Sequence, residues 1–540
     1  MDNVGYNRAS VVVSAAFMIN LIAMPLKAYM SEDSPFSIMH YALASADGLP
    51  RANHTNTVTY AAMLATRFAN ATDLYTYNAT LKADVIRSVF ATSIPGCSEA
   101  IITQVTGSMY TPSDVTDQLT VFLCGNKTIP IARVGASFML TAPTAIYGIW
   151  STPGDLTAPW PPDPTKVTIT FMYAAINYSA LWITLKFCLR LCVSLLIAGE
   201  AYRLYYRHVH ELRRLLRRYP LHPQPTAAVR YEIILGEPTT LISSHPIVIL
   251  AFIVDFWASI EVVGQAILRV SQTKSLHYFI LGAIFLSRSV WFSYGTLTAL
   301  NAVLHRCKAR PIFRPSNTTV VAVTSFVYAG VATMVQNTSI VMLHLYSKLL
   351  IVGMTPNAYR EYFDTQSFPS SVIYSLILCA MPFATSIPRA IVKHIYLRLH
   401  PEAKYVKPPV GGPRDLRFRF MAWYGNFKTQ FVGKNVLGGS IYKLFAMDPR
   451  FRSVMTIGQN GTDCFVFGFD AKNGLVEVTR VSLLSRVNLR LLGIHLGSKA
   501  VLPRGPLHLS PNLAVGRVHL PEGSTGLSLD FGAENSPWLA

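Results

Sequence analysis

The stretch FIVDFWASIEVVGQ, residues 252–265, is an apolar helical run carrying two carboxylates, Asp255 and Glu261. A second run, FLSRSVWFSYG (285–295), carries Arg288. An ionised group at mid-bilayer costs at least about 2.5 kcal/mol on insertion scales, so such charges face protein and pair with one another. As two membrane helices joined by the short loop near 269–275, these runs place Asp255 and Arg288 roughly 20 and 18 Å from the shared end at 1.5 Å per residue. The depths match, and an Asp255–Arg288 pair is expected. Glu261 lies only about 10 Å deep and is turned about 120° from Asp255. It therefore faces elsewhere, with Gln336, Asn337 and His344 as candidate neighbours.

The whole chain supports a membrane reading. Its 540 residues are 51% hydrophobic and 14% charged, with a mean hydropathy of +0.33, against about 25% charged in soluble domains. Six apolar stretches reach the roughly 20 residues a bilayer core requires: 10–26, within 167–199, then about 246–268, 276–304, 318–345 and 369–388. The first reads as an uncleaved signal anchor, because MPLKAYM lacks a small-x-small cleavage site. The net charge of +19 gathers in Lys/Arg clusters after the second, fourth and sixth stretches. That alternation places both termini in the cytoplasm and argues against nucleic-acid binding. The expected fold class is a predominantly α-helical multi-pass membrane protein with six transmembrane helices, a mixed extracellular or lumenal domain and a small cytoplasmic β-containing domain. The membrane would be the plasma membrane or an endomembrane.

Domain boundaries follow. Residues 1–27 form the anchor and 28–166 the external domain. That domain carries N-glycosylation acceptors at Asn53, Asn70, Asn78 and Asn126, and its two cysteines, Cys97 and Cys124, are expected to form a disulfide. Residues 167–219 are a membrane helix running on into a basic amphipathic one, followed by a cytoplasmic loop, 220–245. The four-helix region covers 246–398. Residues 399–499 form the β-containing domain, with a meander signalled by Asn460-Gly461 and Asn473-Gly474. Residues 500–540 lack periodicity and read as disordered. In the basic helix, Leu204, Leu212, Leu215, Leu216 and Tyr219 share one stripe. Arg203, Arg207, Arg213, Arg214, Arg217 and Arg218 would meet anionic lipid headgroups on the cytoplasmic face.

No catalytic constellation is present. HVHE (208–211) lacks the i, i+4 histidine pair of a zinc protease, and there is no phosphate-binding loop or nucleophile elbow. Neither a metal nor a cofactor is expected, and the partners are the bilayer and an external ligand or protein. Folded material on both faces points to a non-enzymatic receptor-like, sensing or scaffolding role. The second reading is an ion- or proton-coupled transporter or channel using Asp255, Glu261 and Arg288.

Overall fold

The computed structural model describes residues 4–36, 72–79, 82–91, 113–125, 132–139, 142–156, 165–175, 180–224, 226–272, 274–307, 315–327, 357–358, 362–366, 436–458, 462–492, 512–519 and 528–540, with a few short pieces between them. Two β-sheets flank a layer of apolar helices.

The larger sheet has seven strands in the order β2-β3-β6-β5-β4-β9-β8: β2 (Tyr75–Asn78), β3 (Ala83–Ala91), β4 (Ala132–Met139), β5 (Ala142–Pro153), β6 (Lys166–Ala175), β8 (Asn357–Ala358) and β9 (Tyr362–Gln366). Every pairing is antiparallel except β4 with β9. β6 shows why this region is not a membrane helix. Its β-branched start, VTIT, is stiff at χ1 and favours extended backbone. Val167, Ile169, Phe171 and Tyr173 alternate onto one face, against Ile86, Phe90 and helix α2 (Ser113–Cys124). Met172 and Ala174 fill the opposite face with Val85. The second expected span is therefore half strand, and its helix begins only at Ala180.

That helix, α3 (Ala180–Ala201), passes through a π turn, Tyr202–Tyr206, into α4 (Arg207–Arg218). The other helices of eight or more residues among those described are α1 (Arg8–Ile22), α5 (Pro246–Trp257), α6 (Ile260–Val270), α7 (Leu276–Leu286), α8 (Val290–Arg306), α9 (Thr318–Val327) and α10 (Ser440–Met447). Among the described residues only Leu181–Arg218 and Leu276–Arg306 are long and apolar enough to cross a membrane. The α5–α6 pair adds a third if counted as one span, but it is bent by 81°. α1, with 15 residues, and α9, with 10, fall short. The six-span, predominantly helical reading is thus overturned. The multi-pass localisation with both termini in the cytoplasm falls with it, because it rested on six alternating crossings. The rest of the fifth stretch, nearly all of the sixth, and 400–435 lie outside the described residues.

The second sheet has the order β1-β7-β11-β12-β10, with β15 added on β12. It gathers β1 (Val4–Tyr6), β7 (Arg230–Ile234), β10 (Val436–Gly438), β11 (Cys464–Phe469), β12 (Leu475–Leu483) and β15 (Trp538–Leu539). The β11–β12 hairpin turns where Asn473 takes positive φ next to Gly474. Residues 453–458, expected as a further strand, make only an isolated bridge from Ile457 to Ser316. This module is not confined to 399–499, since it takes one strand from the N-terminus and one from the expected loop 220–245. Nor is the whole of 500–540 disordered: β13 (Arg517–His519) pairs with β14 (Ser528–Asp530), and Trp538 is fully buried.

Of the expected disulfide partners, Cys97 lies outside the described residues. Cys124 is disulfide-bonded, but no two described cysteines stand at disulfide distance, so no Cys97–Cys124 bridge is described. Asn53, Asn70 and Asn126 also lie outside. Asn78 is half-buried on the edge strand β2.

Candidate functional site

Both expected charges sit at interruptions of apolar helices. α5 ends at Trp257, and Ser259 takes φ −130° and ψ 36° before α6 begins. α7 gives way to a 3-10 turn, Ser287–Ser289, which holds Arg288. These breaks turn Asp255 and Arg288 into one buried cluster with three groups from elsewhere: Glu32, beyond α1, and Lys186 and Arg190, one turn apart on α3. Arg190 Nε donates to Asp255 Oδ1 at 2.7 Å, and Arg288 Nη2 donates to Asp255 Oδ2. Arg190 Nη2 also reaches Glu32 Oε1 at 2.8 Å and Ser259 Oγ at 3.0 Å. Lys186 Nζ bridges Glu32 Oε2 at 3.2 Å and Ser259 Oγ at 3.4 Å. The side chains of Glu32, Asp255, Arg190 and Arg288 are at most 3% exposed, and that of Lys186 is 6% exposed. Charge-assisted bonds of this kind are the strong ones, and they carry the offset for desolvation.

Burial alone would raise the Glu32 carboxyl, but Arg190 and Lys186 outweigh it and hold the group down at about 2, against an ordinary 4.5. A depressed carboxyl makes the folded state bind fewer protons than the unfolded one between those values. Its contribution is complete above about pH 4.5 and disappears as pH falls through 2, a loss of order 1–3 kcal/mol. Acid titration of thermal stability should show this slope in the wild type, and Glu32→Gln should flatten it. An unchanged slope would remove Glu32 from the cluster's energetics.

A second cluster ties α6 to the larger sheet. Asp84 on β3 accepts Arg269 Nε at 2.9 Å and also bonds Gln265 and the Tyr75 hydroxyl. The Arg269 guanidinium lies over Tyr77 and Tyr278 at 4.7 and 5.2 Å. Lys274 donates to the Arg87 carbonyl. Burial, and then the Arg87 charge, push its amine down to about 8. In the sequence Arg269 and Lys274 stand in the short loop near 269–275, with nothing local to mark them for burial. Between the clusters lies a cleft of about 40 Å³ lined by Glu32, Lys186, Gln265 and Tyr77 and by the Asp33–Lys82 ion pair. That is room for a few water-sized groups.

Glu261 lies in the first turn of α6, and its side chain is not among those described. The expected angular offset from Asp255 assumed one continuous helix, which the break at Ser259 removes. The basic helix also differs from its expected role. Tyr205, Val209, Leu212, Leu215 and Leu216 are buried against Val4, Ile233, Val466 and Leu483 of the second sheet, not against lipid. Leu204 and Tyr219 are only partly buried. Arg203 pairs with Glu200 and Arg207 with Glu211, while Arg214 and Arg218 share Glu534. Arg213 donates to the Val4 carbonyl and covers Tyr6. Arg217 is exposed.

Among the described residues, no group of three or more His, Cys, Asp or Glu side chains gathers where a metal ion would be held. Comparison with protein-family models, with curated proteins and with solved structures finds no significant match to this chain.

Proposed function

We propose that the chain is a membrane-associated, non-enzymatic scaffolding protein whose helical layer holds two β-modules in fixed relation. The observation that carries this reading is the way the buried charges use each other. Asp255 is gripped by two guanidiniums and Glu32 by a guanidinium and an amine, from segments far apart in sequence. Such a cluster fixes the packing of α3, α5 and the α7–α8 break, and it leaves neither carboxylate as a mobile carrier. The transport reading thereby loses support from Asp255.

Association with lipid is supported by large apolar side chains left exposed on the helices. They include Leu181, Leu185 and Leu195 on α3, Ile247, Leu250 and Val254 on α5, and Leu276 and Ile280 on α7. Several large apolar side chains exposed on the same helices are what contact with a membrane or a protein would cover. Arg217, exposed on α4, adds attraction to anionic headgroups, worth about 1 kcal/mol near the surface.

The full chain should therefore stay with the membrane pellet through high salt and alkaline carbonate and leave it only in detergent. Release by carbonate would sink the lipid-embedded reading. Proteoliposomes holding the protein should show ion and proton flux equal to protein-free vesicles. A flux lost in Asp255→Asn would favour transport.

A further inference from the structure

We propose that His222 is a proton-operated latch, holding the C-terminal segment 512–519 against the stretch that follows α4 while its ring is neutral and releasing that segment when the ring gains a second proton. The ring sits where three pieces of chain meet. Its Nε2 lies 3.0 Å from Thr479 Oγ1 and 3.7 Å from Glu477 Oε2, both on β12. Its Nδ1 lies 3.3 Å from Arg517 Nη2 on β13. Close by, the Ala514 N–H donates to the Pro220 carbonyl at 3.0 Å, and Leu221, Ala514 and Val515 are buried together in the core under the second sheet. Segment 512–519 is thus held to the stretch after α4 by the Ala514 bond, the His222–Arg517 bond and a small apolar contact.

The donors and acceptors fix the protonation state. A guanidinium carries donors only and does not lose its proton. Nδ1 must therefore accept from Arg517, and the proton of the neutral ring is on Nε2, towards Thr479 and Glu477. A second proton can enter only at Nδ1, opposite a donor that cannot become an acceptor. Protonation removes the Arg517 bond and sets two cationic groups face to face. The His222 side chain is 14% exposed, so a proton reaches it without unfolding.

Burial, and then the Arg517 charge, hold the ring below its ordinary 6.5. The folded state then binds fewer protons than the unfolded one, so the contact is at full strength above pH 6.5 and weakens as pH falls below it. The other ionisable groups here do not cancel the effect. Glu477 could grip a charged ring, but burial pushes its own carboxyl up, with a bond from Tyr231 opposing, so its charge fades on the acid side. Asp530 stands opposite Arg517 in the β13–β14 ladder and moves with it.

The test is hydrogen exchange of the full chain in detergent from about pH 8 to about pH 5, the range in which histidine titrates, with each rate divided by its intrinsic value at that pH. Peptides covering 512–519 and 220–224 should lose protection together, several-fold, below pH 6.5, while the β11–β12 hairpin keeps its own. His222→Asn leaves an acceptor oxygen near the Nδ1 position that takes up no proton in this range, and its protection should stay level. In case that variant does not fold, nitrogen-15 shifts of the wild-type ring at about pH 8 read the tautomer directly, and the latch requires Nε2–H with a bare Nδ1. A ring protonated on Nδ1 there would overturn the proposal. So would a flat profile, or a loss of protection that persists in His222→Asn and so belongs to Glu477 or Asp530. A gain of protection on acidification would overturn it as well, because Glu477 would then be capturing the imidazolium.

Discussion

Asp255→Leu is expected to cost about 3–5 kcal/mol, the range for removing one member of a buried ion pair, and to deplete folded protein. Arg288→Leu is expected to cost under about 2 kcal/mol, largely through lost packing over the Phe285 ring 4.9 Å away. The asymmetry follows from the cluster's charges. Without Asp255, the guanidiniums of Arg190 and Arg288 both lose the carboxylate they share. Without Arg288, Asp255 keeps its 2.7 Å bond to Arg190 and Glu32 keeps its bonds to Arg190 and Lys186. The double variant removes both partners of one buried bond and should cost less than the sum of the singles, with a coupling of about 0.5–3 kcal/mol between the sites. Denaturant unfolding of detergent-solubilised protein measures all three. Equal costs for the two singles would mean that the cluster is not energetically coupled as its geometry implies.

The meeting of Asp255 and Arg288 was legible because each is a charge isolated in an apolar run, and matching depth needs only residue counting. Arg190 and Lys186 stand one turn apart in an apolar run, where snorkelling to the bilayer interface is as natural a reading as burial. Nothing local distinguishes a lysine that snorkels to water from one that turns inward to Glu32, 154 residues away. The angular offset read for Glu261 rested on a different assumption, a continuous helix. Apolar side chains continue across Ala258 and Ser259 without change, so hydropathy cannot register a bend of 81°. The break is made by tertiary contacts, with Ser259 Oγ taken up by Arg190 and Lys186.

The second stretch shows the same limit from another side. A hydropathy window merges the strand Lys166–Ala175 with the helix that starts at Ala180, because both are apolar. The period of two in Val167, Ile169, Phe171 and Tyr173 was there to separate them. In α4 the leucine stripe correctly marked a buried face but could not name its cover. Lipid and a β-sheet present the same apolar surface to such a helix. Only the long-range pairing of β1 with β7 and of β7 with β11 decides between them.

Trp538→Ala is expected to cost about 3–5 kcal/mol, as for a large aromatic removed from a packed core. The side chain is fully buried among Tyr205, Leu212 and Val4. Its indole Nε1 donates to the His208 carbonyl at 2.7 Å, which ties the second sheet to the start of α4. Its backbone continues the sheet, since Leu483 pairs with Trp538 and Ser482 with Leu539. Trp538→Phe keeps most of the apolar contact but loses the bond to the His208 carbonyl, at a cost of roughly 0.5–1.5 kcal/mol. A disordered segment would predict neither effect, since substitutions away from packed features stay within about 0.5 kcal/mol. The two segments that flank α4, Val4–Tyr6 and Arg230–Ile234, share a sheet with the β11–β12 hairpin. Truncating Trp538 should therefore raise protease sensitivity near residue 220 and in the hairpin together. Cleavage gained only after residue 500 would show that the C-terminal strands dock on a module that is stable without them.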